Sequence, residues 1–245
     1  MKKRILNMLP GPVSTWLRRN YLSYRNRRFD GYSTKEMFTE VYRQNLWGES
    51  GQPVKGYYSG PGSHDVKVVK DYVGCIEKFI KNNPDLKSAV DLGCGDFNIG
   101  RSIAPFFDDY IGVDIVDEVV EHNRKTINLE NVTFKTVNAI EEELPYSDVV
   151  FVREVLQHLK NDEIVRVIDN IKKHTKCLVI TESLPGLPHE FKHNLERGVG
   201  PNTRFSQGSG VVLPSAPFAM AFAATECLNV TYCKEHLLKT DAYFF

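Results

Sequence analysis

Apolar positions along the chain follow two periods that alternate from about residue 66 onward. Val66, Val69, Val73, Ile76 and Ile80 recur at helical spacing, Tyr72 and Phe79 widen the stripe, and Asn82-Asn83-Pro84 ends the helix. Ser88 to Leu92 is a short apolar run that reads as a strand. Asn98 to Phe106 suits a helix, Tyr110 to Val116 a strand and Asp117 to Asn128 a second helix. Strands follow over Val132 to Val137 and Asp148 to Val152. A helix over Asp162 to Lys173, with Ile164, Val165, Ile168 and Ile171 inward, leads to a strand over Cys177 to Thr181.

Strands separated by helices at this spacing need crossover connections, which build a mostly parallel sheet covered by helices on both faces. The expected fold is therefore a Rossmann-like α/β domain. Before it, Phe38 to Gly62 reads as a helix and then an ordered loop; after Glu182 the chain turns to Pro, Gly, His and Ser. "LNVTYC" and "DAYFF" offer two more strands near the end.

A chain of 245 residues with 42% hydrophobic and 25% charged residues can bury one good core. Cys75, Cys94, Cys177, Cys227 and Cys233 include no C-x-x-C pair and are odd in number, so neither zinc nor a disulfide framework is indicated. A reducing cytoplasm fits best. The apolar run from Ile5 breaks at Asn7 and Pro10, too short for a signal-peptide core, and no later segment approaches a membrane span. Charge is zero overall but uneven: Lys2, Lys3, Arg4, Arg18, Arg19, Arg25, Arg27 and Arg28 all precede the first acidic residue, Asp30. Such an arm suits an anionic surface at the inner membrane, a phosphate-bearing substrate, or simple solvation.

Ligands on such sheets bind beyond the carboxyl ends of the strands, so the turn after the first strand carries most information. In "AVDLGCGDFNIG" it reads Asp91-Leu92-Gly93-Cys94-Gly95-Asp96-Phe97-Asn98. A dinucleotide site needs a third glycine where Asn98 stands, for amides to reach a pyrophosphate. What remains, Asp-x-Gly-x-Gly, resembles motif I of the class I S-adenosylmethionine-dependent methyltransferases. "LPYSDVVFVREVLQHL" resembles that family's lead into strand four.

The resemblance implies S-adenosylmethionine as cofactor. Asp91 would serve its methionyl amine, Asp114 both ribose hydroxyls and Ile115 the adenine face, with Asn138-Ala139 at the adenine edge. Gly93, Cys94 and Gly95 would form the close-approach turn, and Gly60, Ser63 and Arg153 would complete the cofactor's surroundings. Further segments ("VYRQNLWG", "YYSGPGS", "YIGVDIVDEVVEHN", "REVLQHL" and "NTRFSQGSGVVLPSAPF") resemble a group of bacterial and viral methyltransferases associated with surface-glycan assembly. This implies O-methylation of a sugar hydroxyl in a glycan or its precursor. Residues 1–37 would be a basic helical extension and 38–245 the methyltransferase domain, with a cofactor core over about 63–182 and an acceptor segment over about 183–220.

Other acceptors remain open: another small molecule, an amino-sugar nitrogen or a lipid-linked intermediate. A non-catalytic binding module is the third class, against which the intact Asp91, Gly93, Gly95 and Asp114 argue. Nucleic acid is disfavoured. Amino-group methylation of bases relies on an Asn/Asp-Pro-Pro-aromatic turn where this chain has Arg153-Glu154-Val155-Leu156, and no cysteine has the context of a cytosine nucleophile.

A hydroxyl acceptor calls for a general base near the methyl group. His158 is the first candidate, Glu154 would orient it or replace it, and His64 competes. The alternatives are packing for His158, a pair with Arg153 for Glu154, and a helix-start position capped by Ser63 for His64. Arg204, with Asn202, Phe218 and His189, is expected in the acceptor pocket, where a guanidinium would take a carboxylate or phosphate. His189 and His193 would share one helix face, but no acidic or cysteine ligand pattern accompanies them and no metal is expected.

Overall fold

In the computed structural model, residues 20–21, 24, 26–48, 57–186, 191–233 and 236–245 are described. Most of the basic arm, from Lys2 to Arg25, lies outside them, as does His189. Helix α1 (Thr34–Arg43) begins with a capping box: Ser33's hydroxyl accepts from the Glu36 amide, and Glu36's carboxylate accepts from the Ser33 amide at 2.7 Å. Helix α2 (Val66–Asn82) is capped by Asp65, which accepts from the Val68 amide at 3.0 Å, so the cap assigned to Ser63 falls two residues later. Its buried stripe is Val68, Tyr72, Ile76 and Phe79, whereas Val66 in the first turn is 82% exposed.

The alternation then proceeds through β1 (Ser88–Leu92), α3 (Gly100–Ile103), β2 (Asp109–Asp114), α4 (Asp117–Thr126), β3 (Val132–Thr136), β4 (Val149–Arg153), α5 (Asn161–His174) and β5 (Cys177–Pro185). The helix expected over 98–106 shrinks to α3 and a 3-10 turn at Ala104–Phe106, because Pro105 has no amide to donate and crowds the residue before it. Two short strands, β6 (Lys192–His193) and β7 (Ser209–Gly210), pair with each other, so His193 stands on a strand and not on the helix face expected for it. Strands β8 (Ala224–Tyr232) and β9 (His236–Phe244) end the chain.

One sheet takes seven strands in the order β3-β2-β1-β4-β5-β9-β8. Strands β1 to β5 are parallel, and the order reverses between β1 and β4. Strand β9 is antiparallel to β5, with Pro185 opposite His236, which brings the start of β9 to the edge where the parallel strands end. Pairing with β9 also carries β5 on to Pro185, beyond the Thr181 expected.

Strand β4 shows how the core divides. Val149 and Phe151 point to one face, against Tyr72, Ile76 and Phe79 of α2. Val150 and Val152 point to the other, packed with Ile164, Ile168 and Ile171 of α5 and Met37 and Val41 of α1. On α5, Val167 is buried in place of Val165, which is 36% exposed. Helix α1 runs through positions 37 and 38, and Phe29 joins the same core, so the chain before residue 38 packs with the domain. No helix among the described residues is long and apolar enough to cross a membrane.

Phe151 is fully buried at the middle of the sheet. Phe151→Ala should lower the unfolding free energy by about 3–5 kcal/mol, the usual loss for a buried aromatic ring. Chemical denaturation should show this as a lower midpoint at unchanged slope.

Candidate active site

The turn after β1 is tight because glycine permits it. Gly93 and Gly95 have φ of 77° and 53°, in the left-handed region. The amides of Gly93 and Cys94 donate to the Val113 carbonyl at 2.8 and 3.0 Å, and Gly95 donates to Oδ2 of Asp114 at 3.0 Å. Oδ1 of Asp114 accepts from the Val116 amide at 3.0 Å, so this carboxylate joins the ends of two adjacent strands. A Cβ at Gly93 would collide with Val155, and one at Gly95 with the Ser59 hydroxyl.

A strap from Tyr57 to Ser63 lies over this turn. Ser59 and Asp96 exchange bonds: the Ser59 amide donates to Oδ2 at 3.0 Å and the Asp96 amide to the Ser59 hydroxyl at 2.8 Å. Asn98 donates to the Ser63 carbonyl at 2.7 Å, and Arg153 to the Gly62 carbonyl at 2.9 Å and the Ser63 hydroxyl at 3.2 Å. Gly60 turns at φ 91°. His64 hydrogen-bonds Asp96 through Nε2 at 2.7 Å and stacks on Tyr58 at 4.6 Å, outside the cavity wall.

A cavity of about 440 Å³ follows the carboxyl edge of the sheet. At the β2 and β3 side its walls are Asp114, Ile115, Asn138, Ala139 and Ile140; the middle holds Asp91, Gly93, Cys94 and Arg153. Glu154 and Ser183 follow, with Thr203, Phe205, Ser206 and His236 in the remaining wall, and Trp47 lines the cavity beside Gly60 and Tyr42. Asn138 Oδ1 accepts from the Ile140 amide at 3.2 Å, so part of its capacity serves its own loop.

The expected acceptor residues scatter. Asn202 reaches the cavity. Arg204 does not: it is 1% exposed and donates to the Leu159 and Leu195 carbonyls at 2.6 and 2.5 Å. Those carbonyls lie in irregular chain that no helix or strand partner satisfies, and the guanidinium fills that structural role instead of holding an acceptor anion. Phe218 packs against the core and is absent from the wall. Ser183, Phe205, Ser206 and His236 were not anticipated. Phe205 and Ser206 adjoin Arg204 in sequence, whereas His236 is placed only by the antiparallel return of β9.

Burial sets the ionisable groups. It raises the Asp91 carboxyl to about 7 and, together with the Glu154 charge, the Glu182 carboxyl to about 8. Asp114 is raised by burial, against the amides of Val116 and Gly95. His158 is buried between the rings of Phe38 and Trp47, at centroid distances of 5.9 and 5.3 Å, and burial with the nearby Arg197 charge pushes it down to about 3.

Residues 90–177 match a family described as a methyltransferase domain. The match covers the centre of the alternating core, from β1 to the start of β5. No curated protein matches the chain by sequence. Among solved structures, the N-methyltransferase NodS from Bradyrhizobium japonicum WM9, in complex with S-adenosyl-L-homocysteine, aligns with TM-score 0.58 at 10% identity, over 85% of this chain and 98% of that one. The N-terminal domain of EvdMO1, determined in the presence of S-adenosylhomocysteine and D-fucose, aligns with TM-score 0.55 at 14% identity, over 84% and 95%. Magnesium protoporphyrin IX methyltransferase from Synechocystis PCC 6803 aligns with TM-score 0.53 at 14% identity, over 87% and 100%. At these identities the likeness establishes the shared fold.

The walls of the cavity fit S-adenosylmethionine. A carboxylate offers about four acceptor sites. Asp114 uses one on each oxygen for backbone amides, which leaves each oxygen able to take a ribose hydroxyl. Asp91 and Arg153 present opposite charges for an amino acid's ammonium and carboxylate, and Ile115, Ala139 and Ile140 form an apolar bed for a base.

Asp91 and Glu182 titrate in the fold well above their unfolded values near 4. The folded chain therefore holds protons that the unfolded chain has lost, and that stability disappears as pH rises through 7 to 8. His158, depressed in the fold, contributes in the opposite sense only below about 6.5. The melting temperature of the free protein should fall between pH 6.5 and 8.5, and scanning calorimetry of Glu182→Gln should show a shallower fall.

Proposed function

We propose that the domain transfers the methyl group of S-adenosylmethionine to a hydroxyl of a sugar in a surface glycan or its precursor. The observation that carries this reading is the cavity's division. One half offers two carboxylates and an arginine to a zwitterionic nucleoside cofactor. The other joins the aromatic Phe205–His236 pair, stacked at 4.4 Å, to the hydroxyls of Thr203 and Ser206. An apolar sugar face packs on aromatic rings while its hydroxyls find polar partners at the rim. The D-fucose present with the EvdMO1 domain supports an acceptor of this size and class.

On this reading residues 63–182 serve the cofactor and 183–220, with His236, the acceptor, in a cytoplasmic protein whose basic segment before residue 29 faces anionic lipid. When bound, the cofactor supplies an electrophilic methyl group with sulfur as leaving group. Asp91 ionises against the ammonium, Asp114 fixes the ribose, and the walls align the acceptor oxygen with the methyl carbon, where orientation provides much of the rate. A second reading, methylation of an amino-sugar nitrogen, draws on Glu154, whose carboxylate at the acceptor side would also hold an ammonium.

Calorimetry should give binding of S-adenosylmethionine and S-adenosylhomocysteine but none of NAD; binding of NAD alone would end the methyl-transfer reading. Asp114→Ala should lose about 1.5–3 kcal/mol for each ribose bond removed. Near pH 6, where Asp91 in the free fold is largely protonated, S-adenosylhomocysteine binding should release a proton, seen as a buffer-dependent heat that Asp91→Asn abolishes. Radiolabel transfer to a panel of deoxyhexoses and their methyl glycosides tests the acceptor, and an N-methyl product from amino sugars alone would favour the second reading.

A further inference from the structure

The geometry points to Glu154 as the general base of this methyl transfer, with Ser183 as the residue that positions it. The inference rests on the sugar O-methylation reading and names the group that takes the acceptor's proton.

Four carboxylates of described residues reach the cavity wall: Asp91, Asp96, Asp114 and Glu154. Asp91 and Asp114 stand at the ends of β1 and β2, in the cofactor half. Asp96 is engaged with the strap, accepting from the Ser59 amide and hydrogen-bonded to His64 on one oxygen, and from the Asn98 amide on the other. Glu154 follows the end of β4, where the cofactor half meets the aromatic half, and is the carboxylate that borders both.

Its conformation is held against an intrinsic preference. Glu154 has φ of 56°, a region that a side chain with a Cβ seldom occupies and that persists where the surroundings enforce it. The enforcing contacts are specific. The Glu154 amide donates to the Thr181 carbonyl at 2.7 Å, which ties the turn to β5. Oε1 accepts from the Ser183 hydroxyl at 2.7 Å and from Gln157 Nε2 at 3.3 Å, and Oε2 lies 3.3 Å from Arg153. Of about four acceptor sites on the carboxylate, three are engaged and one remains. Gly62 keeps the space beside Oε2 clear, since a Cβ there would sit 2.5 Å from that oxygen.

The other candidates are less suited. His158 also reaches the cavity wall, but it is packed against Phe38 and Trp47, and burial with the nearby Arg197 charge depresses its basicity and makes it a poor proton acceptor at neutral pH. His64 is committed to Asp96 and lies outside the wall.

In the step itself, the acceptor oxygen gives a lone pair to the methyl carbon and keeps the electron pair of its own O–H bond. Glu154 takes the proton, and the carbon–sulfur pair stays with the departing sulfur. Charge balances, because the carboxylate and the sulfonium are neutralised together.

The test compares wild type, Glu154→Gln, Ser183→Ala and Ser183→Thr. S-adenosylhomocysteine affinity is read by calorimetry, and kcat and KM are read on the panel of deoxyhexoses and methyl glycosides. Glu154→Gln should keep its affinity within about twofold and lose at least about 100-fold in kcat, the range of general-base contributions. Ser183→Ala should lower kcat about tenfold at unchanged KM, and Ser183→Thr, which restores a hydroxyl, should recover to within about threefold of wild type. Turnover of Glu154→Gln within threefold of wild type overturns the assignment, as does loss of its S-adenosylhomocysteine binding, which would make Glu154 structural. If wild type binds S-adenosylhomocysteine but methylates no sugar, the sugar reading fails and the assignment with it. If wild type binds no S-adenosylhomocysteine, the failure lies in the cofactor reading.

Discussion

Asp114 carries two backbone amides on one buried carboxylate, from Gly95 after β1 and from Val116 after β2, and the rest of the site is arranged around that clamp. Burial pushes this carboxyl up, and the amides of Val116 and Gly95 pull it back toward the ionised form. They also bring the glycine turn against the end of β2, so the first strand's Asp91 and the second strand's Asp114 face one cavity. The clamp requires close approach: Gly95 sits against Ser59 and Gly93 against Val155, with no room for a side chain at either. Backbone freedom at two positions thus decides where two carboxylates stand.

The strap over that turn belongs to a part of the chain far from it in sequence. Ser59 and Asp96 satisfy each other's backbone and side-chain groups, and Arg153 at the end of β4 holds Gly62 and Ser63 while stacking over Tyr72 at 5.3 Å. The segment before the alternating core therefore forms one wall of the cofactor half. The opposite wall depends on β9: because it returns antiparallel beside β5, it begins at the edge where the parallel strands end, and His236 meets Phe205 there.

Polar groups in the interior separate into two kinds. Arg204 and Arg197 are buried donors to loop carbonyls, Arg197 serving Gly200 at 2.6 Å, and they hold the irregular segment around residues 195–204 together. Glu154, by contrast, retains acceptor capacity toward the cavity. Both kinds are charged residues in a loop-rich region, and a linear reading has no means of telling a guanidinium that holds carbonyls from one that would hold a ligand. That is why Arg204 was assigned to the acceptor and found in the scaffold.

The alternating core and the glycine turn after β1 are legible in the sequence. Strand β1 matches its expected bounds at Ser88 and Leu92, and the glycine turn after it reaches Asp114 at the end of β2, because apolar period and glycine geometry act over a few residues and are written locally. Helix faces were legible only to within a residue or so: Val68 and Val167 replaced Val66 and Val165, since which part of an apolar stripe is covered depends on where the sheet ends. The aromatic side of the cavity was legible only in part: Ser183 and Phe205 fall within the segment expected over about 183–220, whereas Trp47 and His236 lie outside it. Trp47, Ser183, Phe205 and His236 come from four separate stretches, brought together by the α1 region, the end of β5, an irregular loop and an antiparallel strand. No periodicity records such a convergence, because it arises from long-range packing and strand direction and not from the spacing of neighbours along the chain.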